Sequence, residues 1–185
     1  MSSLCRLLCV TALIAAVAGC GTRDESAPDF TLVSDAGQSW TLSAHRGRPV
    51  LLTFGFTHCS DTCPATLAKL AHLCRHALGT RGAGIEVVMV TVDPRRDTPP
   101  VLHAFVSRFD GPIVGLTGSP AQIEAVEAAY HVWAQSVPGR RGQPNYDVAH
   151  STSIYLIDAG GRVRGLRDDD DPEAAIARAV RDMVS

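Results

Sequence analysis

Val50-Leu-Leu-Thr-Phe-Gly-Phe56 runs straight into Thr57-His-Cys59-Ser-Asp-Thr-Cys63-Pro64, and this stretch decides the fold. The nearly continuous apolar run predicts a central strand buried on both faces. After the polar turn, Leu67, Leu70, Ala71, Leu73 and Cys74 recur at helical spacing, and Pro64 suits a first helical turn. A helix is therefore expected over 64–78, closed by Gly79 and Gly82. Strand, turn and helix in this order form the repeating unit of α/β sheets.

The same reading extends outward in both directions. Phe30-Thr-Leu-Val and Ser39-Trp-Thr-Leu alternate around Asp35-Ala-Gly37 and predict an N-terminal β-hairpin. Residues 85–92 and 113–116 read as further strands, and 98–109 as a helix with Pro99 near its start. A helix over 119–132 has Ser119 as N-cap and Pro120 at its first position. Residues 138–144, rich in Gly, Arg and Pro, read as an exposed loop. A strand over 153–158, a turn at Gly160-Gly161 and a strand over 162–165 precede a last helix opened by Asp171-Pro172. Alternating strands and helices with a closing hairpin predict a mixed central sheet flanked by helices. The Asp168–Asp171 run reads as a solvated turn at a helix N-terminus, where negative charge is favoured.

Composition excludes some functions. The chain has 185 residues and a formal net charge of −2, without the basic face expected of a nucleic-acid binder. Arg6 and a 12-residue apolar stretch, Leu7 to Ala18, have the form of a signal peptide and are too short to span a bilayer. Val17-Ala18-Gly19-Cys20 resembles a bacterial lipobox, which makes Cys20 the expected lipidation site and first mature residue. Residues 1–19 are thus expected to be a lipoprotein signal peptide, 20–28 a tether, and 29–185 one folded domain. That domain would sit on the cell envelope as a membrane-anchored lipoprotein facing the periplasm or cell exterior, where thiols meet oxidants.

Of the six cysteines, Cys5, Cys9 and Cys20 belong to the N-terminal segment, which leaves Cys59, Cys63 and Cys74. An odd count fits a metal site or redox pair plus a bystander better than a disulfide framework. Cys63 is expected near a helix N-terminus, where the dipole and free N–H groups favour a thiolate. Cys59 in the preceding turn can face the same point, and two thiolates suit Cu(I) or zinc. Three residues separate the pair, where dithiol oxidoreductases of the thioredoxin type usually have two. The wider turn leaves room for a metal between the sulfurs.

Three stretches resemble the Sco/SenC group of copper proteins. They are Cys59-Ser-Asp-Thr-Cys63-Pro64, Val90-Thr-Val-Asp93-Pro94-Arg95-Arg96-Asp97-Thr98-Pro99, and Tyr146-Asp-Val-Ala-His150-Ser-Thr-Ser-Ile-Tyr155-Leu-Ile-Asp158. All occur in the family's order, over roughly Pro28 to the C-terminus. One departure is Ser60, where the family often has proline after the first cysteine. The resemblance implies a thioredoxin-like fold and copper, Cu(I) or Cu(II), held by Cys59, Cys63 and His150. It also implies a metallochaperone role, assembling the binuclear copper centre of a haem–copper cytochrome oxidase. The expected partners are the oxidase copper-site subunit, other copper carriers, and the membrane through the lipid anchor.

The histidine also makes physical sense. In thioredoxin-like folds the loop entering the corresponding strand faces the cysteines and usually carries a cis-proline, but Ala149-His150-Ser151-Thr152 has none. An imidazole added to two sulfurs makes a trigonal site for Cu(I) or, with a further ligand, Cu(II). The alternative is a thiol–disulfide oxidoreductase that reduces the cysteines of the copper target, with Cys59 and Cys63 as attacking and resolving thiols. A peroxidase and a copper sensor or tolerance protein are weaker alternatives. Asp93, at the C-terminal end of a buried strand, either orients the site or organises the turn to the next helix with Asp97. His58 adjoins Cys59 and reads as exposed. His72 and His76 share a helix face, but the sequence offers no third ligand. Cys74 reads as a small core residue.

Overall fold

The computed structural model describes residues 26–138 and 146–185. The signal segment, Cys20, most of the tether and most of the 138–144 loop lie outside the described residues. The elements are β1 (Thr31–Ser34), β2 (Ser39–Thr41), β3 (Val50–Gly55), α1 (Thr62–His72), β4 (Glu86–Thr91) and α2 (Pro99–Val106). They continue with β5 (Ile113–Thr117), α3 (Pro120–Ala129), β6 (Ala134–Pro138), β7 (Tyr146–His150), β8 (Ile154–Ile157), β9 (Val163–Arg167) and α4 (Glu173–Met183).

A seven-stranded sheet has the order β2-β1-β5-β4-β3-β8-β9 among the described residues. The β3–β4 and β4–β5 pairs are parallel, while β1–β5, β3–β8 and β8–β9 are antiparallel, so the sheet is mixed, as expected. Every residue of β3 is buried. Its side chains alternate between two cores: Val50, Leu52 and Phe54 pack with Val88, Val90, Ile123 and Tyr130, whereas Leu51 packs with Leu67, Leu70, Leu102 and Ile176. A strand covered on both faces needs apolar residues at successive positions, which explains the nearly continuous apolar run, broken only by the buried Thr53.

Several boundaries differ from the periodicity. The first helix enters a π-helical turn at Leu73–Ala77 and a 3-10 segment at Gly79–Gly84. Only glycine fits at position 82, because an added Cβ would lie 1.9 Å from the Cys74 carbonyl oxygen. Ser119 caps α3, as expected, and Gln122 completes a capping box that the sequence reading does not include. The helix stops at Ala129 rather than Val132, because His131 turns left-handed at φ 55°. Tyr130 and Val132 stay buried outside the helix, which is why the apolar pattern overruns its end.

The expected loop at 138–144 is flanked by an unforeseen element. Strands β6 and β7 pair antiparallel, from Ala134 opposite His150 to Pro138 opposite Tyr146, as a ribbon separate from the main sheet. Residues 26–28, expected in the tether, are bonded to the body: the Ala27 amide donates to the Gly161 carbonyl, and the Pro28 carbonyl accepts from Tyr130. No described helix is long and apolar enough to cross a membrane.

Candidate metal centre

Three elements meet at the cysteines. Strand β3 delivers the turn, α1 begins at Thr62 with Cys63 as its second residue, and β7 ends on His150. Cys63 Sγ lies 3.8 Å from His150 Nε2. The Cys63 amide donates to Cys59 Sγ at 3.4 Å, and the Cys59 amide donates to the Phe56 carbonyl. Both thiols are free.

The imidazole is pre-set for ligation. His150 Nδ1 is 2.7 Å from the Ser151 carbonyl oxygen, which can only accept, so Nδ1 carries the proton. In the neutral ring that binds a metal, the lone pair is then on Nε2, on the side of the Cys63 sulfur. Phe56 meets the ring edge-on, with centres 5.9 Å apart, and limits its rotation. The backbone behind the sulfur is close too: a Cβ on Gly55 would lie 3.2 Å from Cys63 Sγ.

The structure reverses the expected acidity of the two cysteines. The Cys59 thiol is drawn down to about 5, chiefly by a hydrogen bond from the Cys63 thiol. Burial opposes this, and the Cys63 and Asp61 amides and His150 add to it. Cys63 is pushed up by the same hydrogen bond and by its burial. The sequence places Cys63 at the helix end, but the N–H groups there point at the Cys59 sulfur. In metal-free reduced protein, Cys59 should therefore react with iodoacetamide well before Cys63, at least tenfold faster at pH 7. Peptide mapping after a short pulse checks this order. Equal labelling, or Cys63 first, contradicts it.

The supporting residues form a brace. Asp93, 3% exposed, accepts from the Tyr146 hydroxyl at 2.7 Å and from Arg96 Nε. Arg96 Nη1 donates to the Tyr146 carbonyl at 3.0 Å. Tyr146 begins β7, so Asp93 ties the end of β4 to the strand that carries His150. Asp97, fully buried, accepts from the Thr57 amide at 3.0 Å, the Thr57 hydroxyl at 2.6 Å and the Thr91 hydroxyl at 2.6 Å. It pins the turn two residues before Cys59. The sequence reading gives Asp97 only a turn-forming role, and gives Arg96 and Tyr146 none although both lie in the motif stretches. Their place in those stretches, and the closeness of Tyr146 to His150 in sequence, were the available signals.

The other candidates fall elsewhere. His58 is half exposed and contacts Thr57 and Asp97. Cys74 is a core residue whose thiol is pushed up to about 11 by burial. The Asp168–Asp171 turn is more than solvated: Lys69 donates to the Asp169 and Asp171 carbonyls, and the Thr152 hydroxyl donates to the Asp169 carboxylate at 2.7 Å.

An open cleft of about 340 Å³ exposes the site, with Cys59, Asp61, Trp133, Val137 and His150 on its walls. A larger cleft of about 440 Å³ is lined by Asp93, Glu127, Gln135 and Tyr146. No cysteine or histidine lines it, so the smaller cleft is the candidate site. Two sulfurs and an imidazole fit a soft metal, with the cleft left open for a further ligand or a partner.

The SCO1/SenC family model matches residues 20–185. The "SCO2-like protein" of Rickettsia felis is 37% identical over 134 residues, covering 72% of this chain and 65% of the relative. The chain thus spans just under two thirds of that relative's length. Among solved structures, Bradyrhizobium japonicum ScoI with copper bound is 31% identical, with a TM-score of 0.76 over 86% of this chain and 99% of that one. A SCO1/SenC family lipoprotein from Bacillus anthracis is 25% identical, with a TM-score of 0.71 over 88% of this chain and 97% of that one.

Proposed function

Because the chain belongs to the SCO1/SenC family, we propose that it binds copper through Cys59, Cys63 and His150 and delivers it to the binuclear centre of a haem–copper oxidase. The observation that carries this reading is the lone pair of His150 Nε2 placed 3.8 Å from Cys63 Sγ, with Nδ1 committed to the Ser151 carbonyl. A dithiol exchanger has no need of an imidazole so oriented. The copper-bound ScoI of Bradyrhizobium japonicum supports the metal. The cargo is held by two thiolates and one neutral imidazole, with at least one side open to the cleft. A partner cysteine can enter there and displace one ligand at a time, which a closed four-ligand site would prevent.

The domain is placed at the envelope through lipidated Cys20, with the oxidase copper-site subunit and other copper carriers as partners. The lipoprotein of Bacillus anthracis supports the anchor. A second reading, reduction of the target's cysteines, is favoured by the low Cys59 thiol beside a buried resolving thiol. A Cu(I) titration against a competing chelator tests the first reading. Wild type should bind one ion tightly, and His150→Ala and Cys59→Ser should each weaken it about tenfold or more. If His150→Ala binds as wild type does, the three-ligand site is wrong and the thiol–disulfide reading takes its place.

A further inference from the structure

His72 closes α1 and His76 lies in the π-helical turn that follows. At about 1.5 Å per residue, His72 is some 14 Å along the helix from Cys63, clear of the thiol site. Both histidines are exposed. The sequence offers this pair no third group, but the fold brings one: Glu173, the first residue of α4, has its carboxylate 2.9 Å from His72 Nδ1. Nδ1 donates a hydrogen bond to the carboxylate, so in the neutral ring the lone pair lies on Nε2, the arrangement that a carboxylate–histidine–metal unit uses. The His76 ring makes no hydrogen bond among the described residues, and its centre lies 5.0 Å from that of His72. Two imidazoles bound to one ion by bonds of about 2.0–2.1 Å at a near-tetrahedral angle have ring centres about 5 Å apart.

We propose that His72 and His76, with Glu173 orienting His72, form a second, surface site for a divalent transition metal, Cu(II) ahead of Zn(II). Imidazoles without thiolate suit the divalent ion, and the Irving–Williams order places copper above zinc. Water completes the coordination. The one tighter cluster of three candidate ligands among the described residues is His58, Asp93 and Asp97. It does not compete, because its carboxylates are already taken by Thr57, Thr91, Arg96 and Tyr146.

The test uses the full-length chain in detergent with Cys59→Ser and Cys63→Ser, titrated with Cu(II) and followed by electron paramagnetic resonance. One ion should bind with nitrogen ligation. His72→Gln or His76→Gln should weaken it at least tenfold, and Glu173→Gln a few-fold. His72→Gln also removes the hydrogen bond to Glu173 of α4, so His76→Gln, which removes no hydrogen bond to α4, decides the matter. Cu(II) binding unchanged in His76→Gln overturns the site. Cu(I) binding at the thiols needs neither histidine, so it stands or falls separately.

Discussion

Asp97→Ala is expected to lower the unfolding free energy by about 2–4 kcal/mol, measured by urea denaturation at pH 7. The carboxylate is fully buried and receives three donors, from the Thr57 amide, the Thr57 hydroxyl and the Thr91 hydroxyl. Alanine leaves all three without their acceptor. The hydroxyls can rotate toward other acceptors, but the Thr57 amide is fixed by the backbone and stays unsatisfied. The same group sets a sign for pH. Burial raises the Asp97 carboxyl above its usual 3.8, more than its hydrogen bonds lower it. A raised carboxyl binds protons more tightly in the folded state. Its stabilising share is therefore full below 3.8 and is lost as pH rises through the folded value. Asp97→Asn should remove this share of the pH dependence, visible as the difference between wild-type and variant stability curves above pH 3.8. It should also cost less than alanine, since the amide keeps one acceptor. An alanine variant within about 0.5 kcal/mol of wild type would mean that the donors find other partners and the clamp is dispensable.

The parts legible in the sequence are those where one local rule dominates. The run at 50–56 reads as a doubly buried strand because apolar residues fall on both faces of it, and β3 is buried throughout. Ser119 reads as an N-cap because the signal is local, a serine directly before Pro120 at the first helical position, and Ser119 caps the helix. The β6–β7 ribbon is not legible. Residues 134–138 are short and mostly exposed, without the alternation that marks a half-buried strand, and their pairing depends on partners eight to sixteen residues away. The end of α3 is hidden for a related reason, since Tyr130 and Val132 are buried by tertiary packing after the helical path has stopped. At the site, the residue types of the triad are visible in the motifs. The acidity of the cysteines is not, because it depends on which sulfur the Cys63 and Asp61 amides face.

The brace that holds His150 carries the other large expected effect. Arg96→Ala should weaken Cu(I) binding about 10–100-fold while the main sheet stays folded. His150 ends β7, whose only strand partner among the described residues is β6. A two-stranded ribbon is marginal in isolation, so something else must fix it against the body. Arg96 supplies that anchor: it donates to Asp93 and to the Tyr146 carbonyl, and its guanidinium lies 3.8 Å over the Tyr146 ring and 5.9 Å from the Phe56 ring. Phe56 is also the ring that meets His150 edge-on, so one cation touches both supports of the imidazole. Asp93→Ala should act in the same direction, because it frees both Arg96 and the Tyr146 hydroxyl. Arg96→Lys should rescue little, since an ammonium cannot hold the carboxylate and carbonyl in one planar fork while stacking on tyrosine. Tyr146→Phe, which loses a single hydrogen bond, should cost less than either. Hydrogen exchange of the β7 amides in metal-free protein separates the causes. Faster exchange with weaker copper binding means that the brace acts by holding the ribbon. Faster exchange with unchanged affinity means that His150 is positioned by Phe56 and Ser151 alone, and unchanged exchange means that the ribbon holds itself.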